Sequence, residues 1–88
     1  MAGDISQFFG GIKSIQRGTI SVTGALTQTA TITSVDTTKT ELRMLGQTIT
    51  TSANEIGHIT LTNATTITLT RGNTSNTTVI SWELTEYF

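Results

Sequence analysis

The chain has 88 residues, 5 basic and 6 acidic, with one histidine, no proline, no cysteine and a net charge of −1. A chain without thiols has no disulfide framework, no thiolate metal centre and no cysteine nucleophile. The balanced charge lacks the basic excess of a nucleic-acid surface, and threonine at 22 of the 88 positions favours strands over helices.

Residues 1–11 read as an N-terminal arm ahead of a β domain over 12–88. Phe8 and Phe9 are adjacent, so extended backbone would aim them to opposite sides. Gly10 and Gly11 behind them form a hinge. Two large aromatics on a hinge suit docking onto another subunit. A short helical turn over Asp4–Phe9 is a further expectation. The stretch has neither the basic n-region nor the continuous apolar h-region of a secretory signal. No run approaches the roughly 20 apolar residues of a membrane helix. The expected location is a cytoplasm, or a particle assembled there, without membrane contact.

From Ile12 onward the dominant signal is period two. Ile20 and Val22 alternate with Thr19, Ser21 and Thr23. Ala30 and Ile32 alternate with Thr29, Thr31 and Thr33. The stretch Glu41–Gly46 alternates and then doubles its apolar residues at Met44-Leu45, which predicts a strand with a bulge at Gly46. Ile59 and Leu61, then Ile67 and Leu69, alternate with threonines. Ile80, Trp82 and Leu84 alternate with Val79, Ser81, Glu83 and Thr85. Alternation of this kind buries one set and exposes the other; threonine suits the outer set because its branched Cβ fits a pleated surface and its hydroxyl stays wet. Turns are expected at Gly24, at Asp36-Thr37-Thr38-Lys39 with Asp36 closing an Asx-turn, at Ala53-Asn54-Glu55, at Asn63-Ala64 and over Arg71–Asn76. Six or seven short strands joined by such turns predict an all-β fold, a small antiparallel sandwich or barrel.

A compact chain of this length has a radius of gyration of roughly 12 Å. Its charged fraction, 12%, is about half the usual quarter, which leaves few charges to guard strand edges. Some edges and apolar surface are therefore expected to be covered by other subunits in a small homo-oligomer such as a trimer.

Residues with chemistry are few. His58 has no second imidazole to complete a metal or catalytic set and reads as a surface or strand-edge residue. Asp4, Asp36, Glu41, Glu55, Glu83 and Glu86 read as solvated charges, with Glu83 and Glu86 on opposite faces of one strand. Phe9-Gly10-Gly11-Ile12-Lys13 lacks phosphate-loop spacing. No enzyme, metal or cofactor is expected. The threonine faces admit a sugar-binding reading beside that of an ordinary solvated sheet, and Trp82 reads as core.

The stretches Ile12-Lys13-Ser14-Ile15-Gln16-Arg17-Gly18-Thr19, Thr29-Ala30-Thr31-Ile32-Thr33-Ser34-Val35-Asp36, Glu41-Leu42-Arg43-Met44-Leu45-Gly46 and Thr78–Phe88 together resemble small β-rich proteins encoded among the structural genes of tailed bacteriophages and prophages. The resemblance spans about Ile12 to Phe88 and is most specific in the Ile-Lys-Ser-Ile-Gln-Arg-Gly opening. It implies a virion component and leaves head decoration and tail accessory both open. Combined with the residues, it gives a non-enzymatic subunit that binds major capsid or tail proteins through β edges and its arm. Phe8, Phe9, Gly10 and Gly11 would dock, and Lys13, Arg17 and Arg43 would add salt bridges to acidic neighbours. The alternative is a displayed module that binds a host receptor or surface glycan.

Overall fold

The computed structural model describes residues 11–49 and 55–88. Phe8, Phe9 and Gly10, the helical turn expected over Asp4–Phe9 and the turn residues Ala53 and Asn54 lie outside the described residues. The described chain is all-β. Six strands, β1 (Ile12–Thr23), β2 (Thr27–Thr31), β3 (Thr40–Thr48), β4 (Gly57–Asn63), β5 (Thr66–Arg71) and β6 (Thr77–Tyr87), are accompanied by one 3-10 turn, Thr37–Lys39. They form two antiparallel three-stranded sheets, β1-β6-β3 and β2-β5-β4, packed as a sandwich.

The two sheets differ in length. Strands β1 and β6 have 12 and 11 residues, close to 40 Å at a rise of about 3.3 Å. Strands β2, β5 and β4 have only 5, 6 and 7. The molecule is accordingly a slab of 46 × 23 × 16 Å with a radius of gyration of 15.0 Å, larger than the value expected for a chain folded into a sphere.

The core lies where the short sheet covers the long one. Ile20, Val22, Ile80, Trp82 and Leu84 project from the long sheet. Ile67 and Leu69 project from the short one, and Ile32 and Val35 enter from the segment between β2 and β3. The apolar residues of the expected alternation pack into or against this core, except Met44, which is exposed, and Trp82 is buried as expected. Strand β2 ends at Thr31, so Ile32 reaches the core from beyond its strand. The bulge in β3 is present, with Leu45 inserted between the paired residues Met44 and Gly46.

The 32–36 segment bridges the two sheets. The amides of Ile32 and Val35 donate to the carbonyls of Thr65 and Ala64 (2.9 and 3.0 Å). The Gln16 side chain brackets Thr33, accepting from its N–H at 2.9 Å and donating to its carbonyl at 3.0 Å. Asp36 then caps the 3-10 turn, its carboxylate accepting from the Thr38 amide at 3.0 Å and hydroxyl at 2.7 Å. These bonds hold the Asp36 carboxyl below its ordinary pKa.

Trp82 depends on a missing side chain. It pairs with Gly18 across the β1–β6 ladder, and a Cβ at Gly18 would stand 2.9 Å from its Cζ2 and 3.2 Å from its Cε2. The glycine thus leaves the slot that the indole fills. Gly18→Ala is expected to destabilise the fold by about 1–3 kcal/mol through overpacking, and Trp82→Phe in the same chain to recover part of that loss. Urea denaturation followed by far-ultraviolet circular dichroism checks both; an unchanged midpoint for Gly18→Ala would contradict this packing.

Candidate functional site

Each end of the long sheet's inward face is closed by polar side chains. At the Thr78 end, Arg71 is buried. Its Nε donates to the Ala25 carbonyl at 2.9 Å, Nη1 to the Thr78 hydroxyl at 3.1 Å and Nη2 to the Asn76 carbonyl at 3.1 Å. The Thr78 hydroxyl donates in turn to the Glu55 carbonyl at 2.6 Å, and Asn76 Nδ2 donates to Glu55 Oε2 at 3.0 Å. Asn76 adopts φ +63°, a region that asparagine tolerates better than most residues. Arg71 was expected to open the loop but closes β5 with its side chain inward, and Glu55, expected in a turn and in solvent, is 0% exposed. A guanidinium and a carboxylate share this end, joined through Thr78 and Asn76.

At the other end, Glu86 is buried as well. Its carboxylate accepts from the Asp36 amide at 2.8 Å and the Ser14 hydroxyl at 3.3 Å, with Lys13 Nζ at 3.9 Å. The expectation of solvated acids therefore fails for Glu55 and Glu86. Glu86 continues the inward parity of Ile80, Trp82 and Leu84 on β6, and Glu55, just ahead of β4, is held against Asn76 and Thr78. Glu83 and Glu86 do fall on opposite faces. Glu83 lies on the outer face between its two cross-strand partners, Arg17 on β1 and Arg43 on β3. Its two carboxylate oxygens take Arg17 Nε at 2.7 Å and Arg43 Nη1 at 3.6 Å. Lys13, Arg17 and Arg43, expected to reach acidic neighbours on other subunits, are thus each in an ion pair within the chain.

The structure brings four apolar side chains together at the Glu86 end, on the outer face and rim of the long sheet. Ile12 lies opposite Tyr87, and Ile15 one row further in, opposite Thr85. Phe88 follows Tyr87, and its amide donates to the Gly11 carbonyl at 3.2 Å. Ile12, Ile15, Tyr87 and Phe88 are exposed by 53%, 43%, 37% and 70%. The Tyr87 hydroxyl donates to Glu41 Oε1 at 3.3 Å; lost solvation and then the Glu41 charge raise its pKa. Gly11, with φ +81°, stands at the rim of this patch, so residues 1–10 begin there.

The outer face of the short sheet is different. Thr27, Thr70 and His58 form one cross-strand row, Thr29, Thr68 and Thr60 the next, and Thr31 and Thr66 a third. The Thr62 and Thr68 hydroxyls are hydrogen-bonded to each other. His58 is exposed on edge strand β4, as expected. Among the described residues no group of three or more potential metal-ligating side chains occurs, and no helix is long and apolar enough to cross a membrane.

Comparison with known proteins gave no match, whether to protein-family models, to curated proteins or to solved structures.

The two kinds of charged contact have different expected weights. Arg71→Met strips a buried cluster of its only guanidinium and should cost about 3–5 kcal/mol. Arg17→Met removes one arm of an exposed pair and should cost about 0–1 kcal/mol. If the Arg71 variant does not fold, Thr78→Val, expected to cost about 1–3 kcal/mol, reports on the same cluster. Equal urea midpoints for the Thr78→Val and Arg17→Met variants would contradict the ranking.

Proposed function

We propose that this chain is a non-enzymatic structural subunit of a tailed-phage virion, a capsid decoration or tail-accessory protein that binds neighbouring subunits. One observation carries the assembly reading. An exposed apolar end, Ile12, Ile15, Tyr87 and Phe88, lies where the aromatic-bearing segment 1–10 joins the sandwich. Half of the eight exposed large apolar side chains among the described residues meet at this end, the others being Leu26, Met44, Leu45 and Ile56, and such a group suits a contact surface. The virion assignment itself rests on the sequence resemblance.

Partner proteins would be met by this end and by open strand edges. The arginines would contribute little, because Arg17 and Arg43 are already paired with Glu83 and exposed pairs are worth about 0–1 kcal/mol. The chain lacking residues 1–10 is expected to keep the far-ultraviolet spectrum and cooperative unfolding of the full chain. It should nevertheless fail to enter particles when supplied to phage growing without a functional copy. Normal incorporation of the shortened chain would remove the arm from the contact.

A second reading is favoured by the threonine rows of the short sheet. They present hydroxyl and methyl groups in register at about 4.8 Å across strands and about 6.8 Å along them, without a charged side chain. Such a face suits neutral polyhydroxyl ligands, and the corresponding function is recognition of a host-surface glycan. Thr68→Lys, in the centre of the rows, should then abolish saturable binding on a glycan array. Failure of the unaltered chain to bind any glycan would remove this reading.

A further inference from the structure

The segment 1–10 and the apolar end together point to a specific contact between copies. The segment carries Met1, Ile5, Phe8 and Phe9, so two of the chain's three phenylalanines lie in it. The third, Phe88, is the most exposed member of the patch, at 70%. The segment joins the described chain at Gly11, whose carbonyl is held by the Phe88 amide, so its point of attachment is beside the patch. Two copies meeting end to end about a two-fold axis would each offer an arm and receive one in a single closed contact.

We propose that residues 1–10 of one copy seat on Ile12, Ile15, Tyr87 and Phe88 of a second copy, reciprocally. The area is sufficient. Four phenylalanines from two arms bring roughly 600–1,000 Å² at about 150–250 Å² each. With a comparable loss on the acceptor side, the total reaches the about 1,200–2,000 Å² of a standard interface. The link favours exchange over closure on the same chain. Only Gly10 and Gly11 separate Phe9 from Ile12, and short links of this kind promote swapping between protomers. The contact needs no charge, consistent with Lys13, Arg17 and Arg43 being engaged within the chain.

This inference rests on the assembly reading, and the two can fail separately. A monomer that still enters particles overturns the exchange alone, and a dimer that never enters them overturns the virion reading alone. The test is sedimentation of the full chain over a concentration series. The Phe8→Ala/Phe9→Ala variant and the Ile15→Ser/Phe88→Ala variant are each expected to weaken dimerisation about 30-fold or more, with unchanged circular dichroism. The native chain has no cysteine, which permits a direct check. Phe8→Cys chains mixed with Ile15→Cys chains should form a mixed disulfide dimer on oxidation. Chains carrying Ser75→Cys, in the loop at the opposite end, should not. A monomer at every concentration overturns the proposal. So does a disulfide formed only within one chain of the Phe8→Cys/Ile15→Cys double variant, which would make the arm a cover for its own end. An oligomer insensitive to both alanine and serine variants also overturns it and moves the contact to the strand edges.

Discussion

The structure is organised by the unequal length of its two sheets. Strand β6 is paired along both sides, with β1 and β3, and its inward row reads Thr78, Ile80, Trp82, Leu84, Glu86. The short sheet supplies Ile67 and Leu69 over the middle of that row. At the Thr78 end the row is met by Arg71, the last residue of β5, and at the Glu86 end by the 32–36 segment and by Ser14 of β1. A purely apolar row would expose hydrophobic side chains there, and a bare polar row would leave buried groups without partners, at about 1–3 kcal/mol each. The chain resolves this with polar residues at both ends, satisfied by side chains and by connecting backbone. Arg71 and the 55–57 region close one end. The 32–36 segment, held to Gln16, Ala64, Thr65 and Glu86, closes the other.

The same constraint separates what was legible in the sequence from what was not. Period two was enough to give the all-β class, the inward-facing apolar residues and the position of Trp82. Turn chemistry placed Gly24, the Asp36 cap and the Asn63-Ala64 reversal, because each depends on one or two residues acting locally. The doubled Met44-Leu45 disclosed the bulge. The burial of Glu55 was not legible, since it follows from contacts with Asn76 and Thr78, 21 and 23 residues further along the chain. No local pattern encodes that distance. Arg71 and Glu86 each carry a signal in hindsight: Arg71 continues the inward parity of Ile67 and Leu69, and Glu86 that of Ile80, Trp82 and Leu84, so in both cases charge was allowed to outweigh parity. Gly18 was visible as part of a motif, but its role required knowing that it lies opposite Trp82.

The two outer faces divide the remaining chemistry. The long sheet carries the Arg17–Glu83–Arg43 row and, beyond it, the apolar end. The short sheet carries threonine rows. Ion pairs in the first are satisfied across neighbouring strands, so they stiffen the sheet's lateral order and offer little to a partner. Trp82 Nε1 is buried and finds no hydrogen-bond partner among the described residues. Its burial is therefore secured by packing against the Gly18 slot, and the apolar area of the indole outweighs the lost hydrogen bond.

Backbone regularity separates the strand edges. β3 is blunted by its bulge, a device that discourages edge-to-edge pairing, while its Glu41 and Arg43 are engaged with Tyr87 and Glu83 of β6. On the opposite side β1 runs in unbroken register from Ser14 to Thr23, and its Lys13 and Arg17 are likewise drawn toward carboxylates of β6. From Gly18 to Thr23 the strand is uncharged, and the neighbouring short-sheet edge, β2, is uncharged throughout. A chain with so few charges, most of them engaged internally, leaves the β1–β2 side the less guarded of the two. On the assembly reading this gives a neighbouring subunit a direction of approach: along β1, from the apolar end where the arm begins toward the uncharged half of the strand.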